Sequence, residues 1–347
     1  MGKNMTSGAR RLSGNAVTLL ITALLCGGSA ALIYSGTASR QISNMLISMA
    51  CYIVMAVSLN LVVGLLGELS LGHAGFMSVG LFTGCLLSIQ LAQSVPIGVR
   101  MPLSMLLGGV AAAVVGLLVG LPALRLKGDY LAIVTLAFGE IIRNVLNCVY
   151  VSTDAGQLYF GFNNPSLPGK LIVNGPQGAQ GLSRISTFTM GFCLIIFTLI
   201  VVLNLINSRS GRAMMALRDN RIAAESVGIS VTKYKLMAFV TSAVLAGMAG
   251  TLFGMNFSTF TASKFKFDTS ILVLVFVVLG GLGNIWGSLV AAAALTILPE
   301  ALREFADYRM LVYAIVLILV MLATHNPTLQ SFFARLKPGK KEEKEAA

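Results

Sequence analysis

Three side chains able to bind a polar solute or carry a proton lie among glycines in residues 64–80, between two apolar stretches. They are Glu68, Ser70 and His73. Glycine permits helix breaks, and helix ends at membrane depth create polar binding points. The segment therefore predicts part of a solute pathway. The competing interpretation is a tight turn at the membrane surface in which Glu68 is merely solvated.

A second group of charges belongs to an apolar stretch that begins near Asp129. Asp129 would occupy the first turn of a helix, where a carboxylate complements the helix dipole. Glu140 and Arg143 are three residues apart, which places them on one helix face. Because an isolated charge is costly in an apolar setting, we expect a structural ion pair first and a place on the solute path second.

Residues 208–235, which we call the basic segment, interrupt the apolar chain with charges set among small and apolar residues. This pattern predicts short helices that lie flat on a membrane surface with one face available for contact. Such helices could simply anchor two spans, or they could dock onto a partner.

The composition is that of an integral membrane protein, since 56% of the residues are hydrophobic, 11% are charged and the mean hydropathy is +0.84. The net charge of +12 does not require nucleic acid, because the basic residues fall between spans and at the ends. The five cysteines show no CxxC spacing and the two histidines are far apart in sequence. We therefore predict neither a disulfide framework nor a metal site.

Ten apolar segments are candidate spans, and roughly twice as many Lys and Arg residues fall on the side of the termini as on the other side. This bias predicts cytoplasmic termini and a cytoplasmic basic segment. The predicted spans are about 16–36, 43–63, 70–92, 103–122, 130–150, 188–207, 236–256, 270–283, 285–299 and 309–325. The predicted organisation is a cytoplasmic N-terminus (1–15), a transmembrane domain (16–325) and a cytoplasmic charged tail (326–347).

Two glycine-rich regions predict connections between spans. Residues 151–187 are rich in Gly, Pro, Asn and Ser, which indicates an extracytoplasmic segment of turns and loop. Residues 280–287 hold four glycines and indicate a short cytoplasmic hairpin or a broken helix. The expected fold is an all-α multispan bundle with broken, glycine-rich helices, in which Ala243, Gly247 and Gly250 allow close helix packing.

Sequence motifs of several enzyme classes are missing. The chain contains no GxxxxGK[ST] phosphate-binding loop, no GxSxG elbow and no HExxH helix. We therefore expect no catalytic residues, no ATP site and no membrane-embedded enzyme activity in this chain.

Four blocks of sequence closely resemble LivM-type permeases of bacterial branched-chain amino-acid ABC importers. Together they run through most of the chain from about residue 44 to 325, and the second and third are the more specific. The blocks are 67–76, 124–143, 211–228 with 235–239 and 246–251, and 279–283.

The resemblance gives the basic segment a role, because permeases of this kind present a coupling helix with a loose Glu-Ala-Ala-x-x-x-Gly pattern to an ATPase subunit. Residues 222–228 fit that pattern, with Ile222 in place of the Glu. The residues expected to couple to the ATPase are Arg212, Arg218, Asp219, Asn220, Ile222, Ala223, Ala224 and Gly228. The resemblance also implies a sister permease of the LivH type, two ATPases that bind ATP and Mg, an extracytoplasmic solute-binding protein and the bacterial inner membrane.

Three departures from the family pattern bear on the cargo. Glu68 stands where relatives usually have a neutral residue, often Gln, and both 174–182 and 325–329 match only in part. Leucine, isoleucine and valine are the expected cargo, while urea, amides or other amino acids remain alternatives. A stand-alone ion-coupled transporter is the rival of another class. Such a transporter requires carboxylates at the membrane midplane to couple transport to protons or sodium, and only Glu140 is well placed for this role.

Overall fold

The computed structural model describes residues 40–302, apart from 93–94, 127, 155–156, 164–166 and 180–183, together with 311, 312, 314, 315 and 318. The predicted span 16–36, most of the span 309–325 and the tail 326–347 lie outside the described residues. The chain divides between Ala293 and Ala294 into two compact units, and the bundle described below belongs to the first.

The described helices and strands follow one another in a simple order. They are α1 (Arg40–Asn60), a π turn (Leu61–Leu65), α2 (His73–Gln90), α3 (Ile97–Ala123), α4 (Asp129–Asn147), β1 (Val149–Asp154), β2 (Gln157–Phe162), β3 (Lys170–Asn174), α5 (Phe188–Asn207), α6 (Arg209–Asp219), α7 (Arg221–Ser226), α8 (Val231–Asn256), α9 (Phe267–Gly280) and α10 (Ile285–Ala301). Short 3-10 turns occupy Gly175–Gln177 and Ala262–Phe265.

Helices account for every predicted span that the described residues cover. Five of the described helices are long and apolar enough to cross a membrane, namely Gln41–Leu65, α2, α3, α5 and α8. Helices α9 and α10 are apolar but shorter, and α4 matches the predicted span 130–150 although it carries three charged residues. The protein is a multispan helical membrane protein, as its composition predicts.

Helix α8 lies at the centre of the bundle and packs against α1, α2 and α3. Its C-terminal half, from Leu245 to Asn256, is buried throughout. Small residues make this possible: a Cβ on Gly80 of α2 would lie 2.1 Å from the Gly247 carbonyl oxygen, and one on Gly250 would lie 2.0 Å from that of Met77. The predicted close packing around Gly247 and Gly250 is confirmed.

The glycine-rich segment after α1 forms a helix break. The π turn ends α1, residues 66–72 are not helical, and α2 begins at His73 inside the bundle. The Leu71 amide donates to Thr135 Oγ1 of α4 at 3.1 Å, and the Ala74 amide donates to Ser270 Oγ of α9 at 3.2 Å. Because its start is tied to two other helices, α2 enters the interior rather than following a solvated surface turn.

The prediction of turns and loop for 151–187 is wrong in part, since three antiparallel strands occupy 149–174 in the order β2-β1-β3. Val151 and Val173 pair across β1 and β3 and are fully buried. The runs between the turns are rich in β-branched and aromatic residues, which favour strands, and this preference outweighs the Gly and Pro residues that flank them. The helical bundle therefore carries a small sheet.

Candidate functional site

The basic segment folds into two helices, each begun by a capping side chain. Ser208 Oγ accepts a 3.1 Å hydrogen bond from the Gly211 amide at the start of α6. Asn220 Oδ1 accepts a 3.1 Å hydrogen bond from the Ala223 amide at the start of α7. Ser and Asn are preferred at these positions because their side chains satisfy amides that have no partner within the helix. The prediction of short helices is confirmed.

Gly228 ends α7 with a left-handed backbone, at φ +84°. Its amide donates to the Glu225 carbonyl at 3.0 Å, and the Ile229 amide donates to the Ala224 carbonyl at 3.1 Å. These two bonds form a Schellman motif, whose left-handed position favours glycine. The motif turns the chain sharply from α7 toward α8.

One side of the helix pair packs on the bundle, while the other side is open. Leu217, Ala224 and Val231 form a small buried cluster that joins α6, α7 and the start of α8. Ile222 and Val227 lie outside it and are 81% and 75% exposed. We call these two residues the apolar knobs, because they are the large apolar side chains left exposed near the two ends of α7.

The charged residues of the pair are bound mostly to near neighbours. Arg221 Nε lies 3.2 Å from Glu225 Oε1, one helical turn away. Arg212 Nη1 donates to the Asn207 carbonyl at 3.0 Å, and Asp219 accepts from Arg218 at 3.2 Å. The charge pattern therefore holds the helices in shape and leaves the apolar knobs between charged neighbours.

Arg218 connects α6 to the helix break. Its Nη1 donates to the Gly64 carbonyl at 2.8 Å, across 154 residues of sequence. Gly64 belongs to the π turn, where the hydrogen-bond pattern of α1 is interrupted. A guanidinium at this position supplies a charged donor to the end of a span, which gives the basic segment a direct polar attachment to the membrane bundle.

Asn60 extends this attachment to the hairpin between α9 and α10. Its Oδ1 accepts from the Gly283 amide at 2.9 Å, and its Nδ2 donates to Ser288 Oγ at 2.9 Å. The glycine-rich residues after α9 form a short hairpin, one of the two structures predicted for 280–287. The two Asn60 hydrogen bonds attach this hairpin to the end of α1, which was not predicted. Asn60 is 3% exposed, so its amide is committed to these two partners.

Glu68, which is half-buried, and Lys235, which is buried, form an ion pair between the helix break and the first turns of α8. The side chains are 15% and 5% exposed. The interpretation of Glu68 as merely solvated is therefore wrong. A buried carboxylate in an apolar setting requires a counter-charge, and this requirement was the available signal for a partner. Sequence reasoning missed Lys235 because several basic residues of the basic segment could have served.

The predicted pathway residues make separate contacts, and none of the hydrogen bonds among the described residues joins Glu68, Ser70 or His73 to the Glu140–Arg143 pair. His73 Nε2 and Ser58 Oγ share a buried hydrogen bond of 2.8 Å, and Ser70 Oγ is buried with no partner among the described residues. Arg143 Nε lies 2.7 Å from Glu140 Oε2, so the expected structural ion pair is confirmed. Glu140 Oε1 also accepts from the Phe267 amide at 3.2 Å, at the start of α9.

Within the described part of the chain, no group of three His, Cys, Asp or Glu side chains is placed to hold a metal ion. The fold and the site together define a multispan membrane protein with a structured amphipathic segment between two spans. A family model described as branched-chain amino acid transport system / permease component matches residues 41–321. The chain belongs to this family, which confirms the resemblance seen in the sequence.

Several curated permeases are similar to this chain. The high-affinity branched-chain amino acid transport system permease proteins LivM of Salmonella typhimurium and Escherichia coli are each 36% identical over 286 residues. These alignments cover 78% of this chain and 66% of each relative, just under two thirds of their length. The ribose import permease protein RbsC of Haemophilus influenzae is 25% identical over 82% of the chain and 84% of its own length. No solved structure matches the chain.

Proposed function

We propose that this protein is the permease subunit of an ABC importer that carries leucine, isoleucine and valine across the bacterial inner membrane. Membership in the permease family supports the transport role, and the names of the two 36% identical relatives support the cargo. The ribose permease among the relatives makes the cargo the part of the proposal that most needs measurement.

The observation that carries the proposal is the way the basic segment is built. It leaves the apolar knobs of α7 exposed, while Arg218 of α6 donates to the Gly64 carbonyl at the end of α1. Movement of a partner bound to Ile222 and Val227 would therefore be transmitted to α1 through the hydrogen bond from Arg218 to the Gly64 carbonyl. Movement of packed helices as rigid bodies is an established way to alternate the access of a site.

The resemblance to LivM-type permeases supplies the partners of this proposal. Two cytoplasmic ATPases bind ATP and Mg and receive the apolar knobs, a sister permease of the LivH type completes the solute path, and an extracytoplasmic protein delivers the solute. The residues proposed to lie along or beside the path are Glu68, Ser70, His73, Glu140 and Arg143. Of these, Glu140 is already engaged by Arg143 and by the Phe267 amide, which disfavours a role in proton coupling by a stand-alone transporter.

The test is ATP-dependent uptake by the complete importer in proteoliposomes. We expect radiolabelled leucine, isoleucine and valine to accumulate, and ribose, urea and acetamide to fail as competitors. Leucine uptake by this chain alone under an ion gradient would contradict the proposal. Competition by ribose or urea would leave the proposed importer role standing but contradict the proposed cargo.

Docking is tested by the double variant Ile222→Ser, Val227→Ser. We expect uptake and solute-stimulated ATP hydrolysis to fall together, because the apolar contact with the ATPase is lost while the bundle is untouched. Thr232→Ala, exposed in the first turn of α8, is the control and should transport normally. Normal uptake in the double variant would place the ATPase contact elsewhere.

A further inference from the structure

A groove lies between α2 and α3 beneath strand β2, with a volume of about 790 Å³. This volume is in the range of sites that hold small molecules. Most of its lining is apolar. The principal apolar residues are Leu86 and Leu87 from α2, Leu107 and Val110 from α3, and Leu158 and Phe160 from β2.

The polar groups of the groove are concentrated at one end. Gln90 is the last residue of α2 and Gln157 is the first residue of β2, and both line the groove. Gln157 Oε1 accepts a hydrogen bond from the Tyr159 hydroxyl at 3.3 Å, so the side-chain NH2 of Gln157 is the group left to donate. At the other end, the Thr83 hydroxyl donates to the Val79 carbonyl of its own helix at 2.7 Å. Because that hydroxyl is satisfied locally, the deep end presents an apolar surface.

The groove is continuous with an exposed apolar stripe on α3. Leu103, Leu107, Val110, Val114 and Leu121 are all exposed and recur at the spacing of one helix face. Leu107 and Val110 belong both to this stripe and to the groove. On a helix long and apolar enough to cross a membrane, such a stripe is suited to contact with hydrocarbon. The groove opens on the same side as this stripe.

Strand β2 overhangs the stripe with aromatic side chains. Phe160 and Phe162 are 66% and 67% exposed, and they share a face of the sheet with Leu158. The buried Val151 of β1 lies on this same face, since Val151 pairs with Phe160. Gln90 ends a helix long and apolar enough to cross a membrane, and Tyr159 of β2 is 37% exposed. The end of a span and an exposed tyrosine are both typical of the interface between membrane and water, which places the carboxamide end of the groove at headgroup depth.

We propose that this groove binds one acyl chain of a phospholipid, whose ester or headgroup oxygens accept hydrogen bonds from Gln90 and Gln157. With the sheet on the extracytoplasmic side, the lipid comes from the outer leaflet. Affinity arises from packing and from the two carboxamides, because lipid hydrocarbon is as apolar as the lining and burial alone gives no preference. An empty apolar groove would instead forfeit the dispersion contacts of its walls.

The experiment compares the number of lipids retained by the wild-type full chain and by its variants. Each protein is purified in detergent with palmitoyl-oleoyl phosphatidylglycerol and phosphatidylethanolamine, exchanged into lipid-free detergent and measured by native mass spectrometry. We expect the wild type to retain one phospholipid and Ala111→Phe, which fills the groove, to lose it. Val114→Phe adds the same ring to the same stripe outside the groove lining and should retain the lipid. Equal retention by wild type and Ala111→Phe, or none by the wild type, would overturn the proposal.

A second variant guards against a folding defect in Ala111→Phe. Gln157 is exposed at the start of β2, so Gln157→Ala disturbs no packed helix, and we expect it to release the lipid at lower collision energy than the wild type. In the assembled importer, a photo-crosslinker at Val110 should yield a lipid adduct. A crosslink to the sister permease or to residues 16–36 of this chain would mean that protein fills the groove, and the proposal would fail.

Discussion

The centre of the bundle and the attachment of the basic segment are held together by different kinds of contact. At the centre, glycines of α2, α3 and α8 bring backbones together, and the added polar contact is neutral, such as the 2.8 Å bond from Thr251 Oγ1 to the Gly80 carbonyl. At the attachment, charged groups bridge distant segments, namely Arg218 to Gly64 and Lys235 to Glu68.

This difference indicates which part can move. Close backbone packing has no alternative arrangement of similar energy, because shape alone determines it. A charged side chain on a flexible stem can release one acceptor and find another. The centre is therefore the rigid body, and the attachment is where a rearrangement driven by a partner would occur.

The contrast between a rigid centre and a movable attachment would be wrong if the centre tolerated a larger side chain. A Cβ on Gly247 would lie 2.4 Å from the Ala112 Cβ and 2.8 Å from the Gly108 carbonyl oxygen. We expect Gly247→Val to cost about 3 kcal/mol or more, because it forces α8 away from α3. Fluorescence-detected size-exclusion chromatography should show loss of the folded peak. Gly98→Val, where a Cβ has no neighbour within 4 Å, is the control and should elute normally.

Breaking the ion pair between Glu68 and Lys235 should give the next largest loss of stability. Glu68→Ala leaves Lys235 buried without a partner, which we expect to cost about 3 kcal/mol. The double variant Glu68→Gln, Lys235→Met removes both charges and should recover most of that loss. Thermal unfolding in detergent measures both. If the double variant were as unstable as Glu68→Ala, the ion pair would not be the cause.

The helices could be predicted from the sequence because apolar runs of span length allow few other structures in a membrane. The sheet in 149–174 was missed because its short runs of β-branched and aromatic residues lie among Gly and Pro residues that indicate turns. The contacts of Glu68 and Arg218 could not be predicted from the sequence, because they join residues that are far apart in the chain. A buried Glu68 demands a cation, but nothing in the sequence selects Lys235 among the basic residues nearby. Arg218 reaches a backbone carbonyl, which has no sequence signature at all.

The attachment itself is tested by Arg218→Ala. Loss of the charged hydrogen bond to the Gly64 carbonyl should cost about 1.5 kcal/mol of stability. Its larger consequence should be functional, with ATP hydrolysis continuing while leucine uptake falls, because the partner then moves a segment no longer bonded to α1. Arg221→Ala breaks a pair confined to α7 and is the control. Equal uptake by the two variants would remove Arg218 from the coupling route.

The smallest loss of stability is expected at Asn220. Its side chain caps α7 and takes no part in the hydrogen bond to Gly64 or the ion pair with Glu68. Asn220→Ala should cost about 1 kcal/mol, confined to α7, whereas Asn220→Asp keeps an acceptor and should cost little. Hydrogen exchange of the α7 amides measures this, with protection falling roughly fivefold in the alanine variant. Protection at the start of α8 should stay unchanged. If it also fell, α7 and the bundle would open as one unit, and the division between a rigid centre and a movable attachment would be wrong.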